Sequence, residues 1–363
     1  MRQEIRGYLE VREAAKDFEK YSSDLQGDRD TRDYKQLPLE VDPPRHTLLR
    51  AAVQSLFMSD AIAVHKPKFE ALAKKLIAEV SAKGGDIGDV FALPYVIGCL
   101  TIIYNRPQDY DEWVGWGPDV WTADSYKKSK ETGKAVEHKR DGSTLQRYLD
   151  RVFDAAETNR EKEPKDVWDF VSAVEIDGVG ITRAEMQGIA NVLLAGGRDT
   201  VIKLITGLVW HLIGHPEDRE FLAENPSWFN RTIAEMVRYL SPLPKMERVL
   251  AEHKDVPIEQ RDPENYVLLS FVSANHDKDI WPDADVIDIH RERKPHLAFG
   301  FGRHSCMGMN ITEHEVGALL GVLLENWPGW EFDGEPKIAW ATDQDKLGNP
   351  IRFIDRFDEL RVR

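Results

Sequence analysis

Two places in this sequence carry side chains whose types and spacing could do chemistry. The first is residues 296–309, HLAFGFGRHSCMGM, where Cys306 follows Phe299, Gly300 and Gly302, and Gly308 stands two residues after it at the opening of an apolar helical pattern that includes Ile311, Val316, Leu319 and Leu320. A cysteine at a helix start meets unpaired N–H groups and the positive end of the helix dipole, which lower its pKa and ease the charge of a metal-bound thiolate. The flanking glycines let a flat cofactor and neighbouring backbone come close. A lone cysteine is also a good small packing residue, so at this point both readings stand. Cys99, inside the apolar run FALPYVIGCLTIIYN, is read as core packing.

The second place is LLAGGRDT, inside a helical pattern running from Thr182 to Gly214 and opened by a capping box at Thr182 and Glu185. Each glycine in a helix interior costs roughly 1 kcal/mol relative to alanine, so Gly196 and Gly197 weaken the helix at its middle. Thr200 can turn its hydroxyl to the carbonyl of Gly196, bending the helix and opening a groove beside Asp199. Read alone, the motif is equally a packing glycine pair next to a surface acid. Two shorter pairs are similarly bland by themselves. His46 and Arg50 lie four apart on a helix entered through Pro43 and Pro44, and Glu235 and Arg238 lie three apart in TIAEMVRYLSP.

The spacing F-G-x-G-x-H-x-C-x-G, present from Phe299 to Gly308 without a gap, resembles the haem-binding loop of the cytochrome P450 family. The resemblance implies that Cys306 is the axial ligand of a haem b iron, with Phe299 and Gly308 framing it. It extends to G-G-x-D-T, similar to the family's oxygen-binding groove. There Gly196 and Gly197 lie against the cofactor, Thr200 hydrogen-bonds the bound dioxygen and Asp199 relays protons. By the same resemblance His46, Arg50, Arg248 and His304 bind the haem propionates, and Leu243 and Pro244 pass over the haem and touch substrate. Glu235 and Arg238 form a buried structural pair that locks their helix against the chain leading to the cysteine loop.

The elements that must position these residues follow from pattern. Helices are expected at 61–83, 91–105, 143–162 and 182–214, and short strands from Trp330 to Arg363 with a turn at Leu347, Gly348 and Asn349, while the family resemblance implies a short strand leading into a helix within 8–23. These patterns make the chain mainly α with a small β region, and the resemblance implies the cytochrome P450 fold, with haem between a long central helix and the cysteine loop. No linker or repeat divides the 363 residues, so a single domain, 1–363, is expected, with an N-terminal end shorter than is usual for the family. Two cysteines fit a reducing, cytoplasmic compartment, and no apolar run reaches the roughly 18 residues of a membrane span. A net charge of −15 argues against nucleic acid and anionic membrane surfaces as partners.

The function this implies is a haem-thiolate monooxygenase inserting one oxygen atom of O2 into a C–H bond of a small organic substrate. No dinucleotide fingerprint follows a strand pattern, so electrons from NAD(P)H are expected through a ferredoxin and ferredoxin reductase. A haem-thiolate sensor would keep Cys306 but have no use for Asp199 and Thr200, and peroxide-driven relatives tend to replace both. Residues 24–36, DLQGDRDTRDYKQ, which the resemblance makes the roof of the substrate pocket, carry Asp24, Asp28, Arg29, Asp30, Arg32, Asp33, Tyr34 and Lys35. TADSYKKSKE, after Trp121, is similarly polar, and Trp113, Trp116 and Trp121 have flat faces with a polar edge. These suggest an oxygen-rich methyl ether, such as a methylated sugar or methoxyarene, as substrate. A terpene or fatty acid is the apolar alternative.

Overall fold

The computed structural model describes residues 3–25, 32, 34–134, 141–158 and 163–363. Asp28, Arg29, Asp30 and Asp33 of the expected roof lie outside the described residues. Helices dominate, and the helices Lys66–Lys83, Leu93–Ile103, Ser143–Glu157, Arg183–Ala195, Asp199–Gly214, Phe229–Leu240 and Met309–Glu325 share one apolar core. Leu93–Ile103 is buried on almost every side, which is why its sequence is apolar rather than amphipathic. Among the described residues no single helix is long and apolar enough to cross a membrane.

A second, smaller core sets the cysteine loop. The helix Tyr8–Lys16 packs Tyr8, Val11, Ala14 and Ala15 on Val267, Leu269, Phe271, Trp281 and Leu297. Behind it lies a four-stranded sheet. Gln3–Ile5 runs parallel to Tyr266–Ser270, which pairs antiparallel with Lys245–Leu250, and Tyr21–Ser22 closes the edge against Val249 and Leu250. The C-terminal strands are longer than the pattern suggested: Lys337–Gln344 and Pro350–Glu359 form an antiparallel hairpin, turned at Gly348 with φ +87°.

The helix expected from Thr182 to Gly214 is two helices. Arg183–Ala195 opens on the Thr182–Glu185 capping box and stops at Gly196, and Asp199–Gly214 begins three residues later. The glycines weaken the middle, and Arg198, at φ −104° and ψ −83°, takes the chain out of helical geometry. The result is a break where the sequence suggested a bend.

Candidate functional site

The cysteine loop is held from both sides. Gly300 and Gly302 have φ of +67° and +72°, a region glycine enters without strain, and a side chain on Gly302 would press on the Ala15 carbonyl at 3.2 Å. The Cys306 N–H donates to the Phe299 carbonyl at 2.7 Å, and the Leu297 N–H donates to Asn275 Oδ1, also at 2.7 Å. Gly308 caps Met309–Glu325 and would carry a Cβ 3.6 Å from Cys306 Sγ, so a bare glycine leaves the sulfur open on that side. The thiol is accessible yet densely surrounded by protein. Burial pushes its pKa up, and the N–H groups of Gly308 and Met309 and the Arg50 cation recover only part of that cost. This corrects the expectation of a lowered pKa: the helix start supplies the donors, but desolvation outweighs them until a metal charge is present.

Around this loop the structure gathers basic groups separated widely in sequence. The rings of His46 and His304 lie 4.3 Å apart, and Arg50 Nη2 donates to the Ser305 hydroxyl at 3.5 Å. Burial, followed by the charges of Arg248, His46, Arg50 and Arg303, drives His304 down to a pKa of about 2. His46 is likewise pushed down, by burial and then by Arg50 and Arg303. Arg248, 5% exposed, spends Nη1 on the Glu247 carbonyl and is lowered to about 10 by burial. His304 Nε2 and both ring nitrogens of His46 are buried without a well-formed hydrogen bond among the described residues. Asp42, whose charge favours the protonated forms of His46 and Arg248, accepts from the Ser22 hydroxyl and the Ser23 N–H. Donors and cations are therefore in surplus, which is costly unless an anion with several acceptor oxygens completes the set. The two carboxylates of a haem have that chemistry, and the residues present fit the group.

At the helix break, Thr200 Oγ1 donates to the Gly196 carbonyl at 3.1 Å, the bond its spacing suggested. Asp199 opens the second helix, and its pKa is raised to about 6 by burial and then by the Asp119 charge. Gly196 and Asp199 are accessible although set deep in the fold. Gly197 packs on Leu100, and a Cβ on Gly196 would meet the Val192 carbonyl at 2.9 Å. Leu243 and Pro244 form the turn between Phe229–Leu240 and Lys245–Leu250. Leu243 is 38% exposed, and the Pro244 carbonyl accepts from the Phe271 and Val272 N–H groups.

Glu235 and Arg238 pair within hydrogen-bonding distance and are both buried. Arg238 also donates to the carbonyls of Asn275, Ala284 and Val286, which tie this helix to the chain running into the cysteine loop. Arg291 joins Glu235 at 3.1 Å, a third member that no sequence spacing announced. The roof is less open than its composition suggested. Arg32 pairs with Glu40 and lies 5.5 Å from the Trp121 ring centre, Lys35 pairs with Asp24, and Tyr34 is 5% exposed. Trp113 and Trp116 pack edge-on against Tyr148, so they belong to the core. In TADSYKKSKE, Tyr126 and Lys130 bond to Asp89.

A sequence profile of the cytochrome P450 family matches residues 228–338, from Phe229–Leu240 through the cysteine loop to the start of the C-terminal hairpin. A cytochrome P450 of Bacillus subtilis (strain 168) is 27% identical over 310 residues, 83% of this chain and 73% of that protein. The cyclomarin C epoxidase CymV of Salinispora arenicola (strain CNS-205) is 29% identical over 304 residues, covering 83% of this chain and 76% of the relative. Among solved structures, a carbohydrate-active P450 superposes with a TM-score of 0.83 at 26% identity, over 99% of this chain and 91% of that one. The likeness thus extends over the whole fold as well as the matched segment, and the chain belongs to the cytochrome P450 family, as a monooxygenase of the bacterial type.

Proposed function

We propose that this P450 oxidises a methyl ether of a polar, oxygen-rich substrate, with Cys306 as the thiolate ligand and Asp199 and Thr200 as the proton-handling pair. Haem, when bound, supplies the iron at which O2 is activated, and electrons come from NAD(P)H through a ferredoxin and its reductase. His46, Arg50, Arg248 and His304 would hold the propionates, with Arg suited to a paired hydrogen bond to carboxylate. Thr200 donates its proton to the Gly196 carbonyl, which leaves its oxygen lone pairs available to accept a hydrogen bond beside the helix break. Asp199, with a pKa of about 6, can both take up and release a proton near neutral pH, as a relay requires. One oxygen atom enters a methyl C–H bond, and the other leaves as water with two protons and two electrons. The resulting hemiacetal separates into an alcohol and formaldehyde.

The observation that carries the substrate class is a set of polar contacts between the roof segment and the helix Arg183–Ala195. Gln36 Nε2 donates to Asn191 Oδ1 at 2.6 Å, and Asn191 Nδ2 reaches the Tyr34 hydroxyl at 3.4 Å. Asn191 stands on the helix that ends at Gly196, so polar groups of the roof segment pack on the helix that forms one side of the break, where an apolar substrate would call for apolar lining. Likeness to a carbohydrate-active P450 supports the same reading. The test is formaldehyde release from a panel of methylated sugars and methoxyarenes with ferredoxin and reductase present, with Cys306→His as the control that must abolish it. Tight binding and hydroxylation of fatty acids or terpenes, with no response to the methyl ethers, would overturn the proposal.

A further inference from the structure

The third position of the G-G-x-D-T motif is Arg198, and its setting is unlike that of a surface arginine. Arg198 is 1% exposed. Its Nη2 donates to the carbonyl of Trp113 at 2.9 Å and to that of Gly117, and the guanidinium lies 5.6 Å from the centre of the Trp116 ring. Nε and Nη1 are buried and make no hydrogen bond among the described residues. Two backbone carbonyls and an aromatic face do not offset the desolvation of a whole cation. Glycine alone could also have broken the helix. A buried guanidinium with two donors to spare therefore does more than tie two segments together.

Two carboxylates interact with this cation. Asp199 follows it directly, and Asp119 lies two residues beyond Gly117 on the segment that wraps it. The Asp119 charge opposes ionisation of Asp199, while the Arg198 charge favours it. Two further titratable groups stand at this corner. Lys203, one turn along the helix, donates to the Leu240 carbonyl and interacts both with Asp355 from the C-terminal hairpin and with Asp199. Tyr126, beside Arg198, bonds to Asp89.

We propose that Arg198 is a positioning residue for Asp199: anchored on the 113–117 backbone, its guanidinium fixes the first turn after the helix break and holds the Asp199 carboxylate in balance against Asp119. The inference rests on the reading of Asp199 as the relay acid, but its test does not depend on that reading. In the resting holoenzyme labelled with carbon-13 aspartate, infrared difference spectra against Asp199→Asn report the Asp199 carboxyl across a pH titration. Arg198→Gln removes a favourable charge that acts beside the N–H groups of Thr200 and Asp199, and should move the midpoint up by less than about 1 unit. Arg198→Lys should restore most of that shift. Asp119→Asn keeps Arg198 and its contacts and should move the midpoint down. It therefore decides the matter if Arg198→Gln fails to fold. Midpoints unchanged in these variants would overturn the proposal. The acid limb of the pH profile for coupled turnover should follow the spectroscopic midpoint. A midpoint that moves without the profile would support the role of Arg198 and remove Asp199 from the relay.

Discussion

Two buried groups of cations in this chain are built on opposite plans. Around Glu235 all five N–H groups of Arg238 are used, two on the Glu235 carboxylate and three on the carbonyls of Asn275, Ala284 and Val286. Around the cysteine loop, His46, Arg50, Arg248 and His304 are drawn together with ring nitrogens that lack a well-formed hydrogen bond among the described residues and with charges that oppose one another. The first cluster is complete without a ligand, so it stabilises the fold. The second is a standing cost to the chain alone and is offset only by an anionic group arriving from outside.

That difference can be broken experimentally, and the largest effect should come from the complete cluster. Arg238→Leu leaves three carbonyls and part of a buried carboxylate without donors, and should cost about 3–5 kcal/mol in urea unfolding, enough to lose the fold at physiological temperature. A loss below about 1 kcal/mol would mean that Arg291 alone sustains Glu235, and the contrast would fail.

Arg248→Leu probes the incomplete cluster and should split two measurements that Arg238→Leu moves together. The haem-free protein should keep or gain stability, because an unpaired buried charge has been removed. Haem affinity, measured by transfer to an acceptor globin, should fall by about 1.5–3 kcal/mol, roughly tenfold to a hundredfold. Equal loss of haem-free stability and affinity would show that Arg248 is structural after all.

A third buried charge shows itself as a slope. Glu315, on the helix that follows Cys306, is 1% exposed, and burial pushes its pKa up to about 8 against an ordinary 4.5. Its Oε2 has no hydrogen bond among the described residues, while Cys99 lies against the same carboxyl. A raised carboxylic pKa means that the folded chain binds a proton the unfolded chain has released. The protein should therefore lose stability as pH rises from about 4.5 to about 8, by at most about 1.4 kcal/mol per pH unit, and change no further above it. Glu315→Gln should flatten that slope without changing substrate turnover. An unchanged slope would place the proton elsewhere.

Much of this site was legible in the sequence because the relevant interactions are local. The Thr182–Glu185 capping box, the Thr200 bond to Gly196 and the Glu235–Arg238 pair all join residues within one helical turn, where spacing dictates contact. The glycines of the cysteine loop were equally readable, since positive φ at Gly300 and Gly302 is a property of the residue. Fold class followed from the helical periodicities and from a loop spacing specific enough to imply a family.

Tertiary structure decided the signs and the partners. Whether the thiol of Cys306 is eased or burdened depends on desolvation, a sum over everything packed around it, and that sum reversed the expectation drawn from the helix start. The same holds for Arg198, an unremarked letter in a motif until the 113–117 backbone closes over it, and for Arg291, which reaches Glu235 across 56 residues. The pairing of Arg32 with Glu40 and of Lys35 with Asp24 has the same origin. Which cations are satisfied and which are left for a ligand is likewise set by segments hundreds of residues apart, as at Arg50 and Ser305. Burial and long-range pairing are properties of the folded surroundings, and no spacing along the chain encodes them directly.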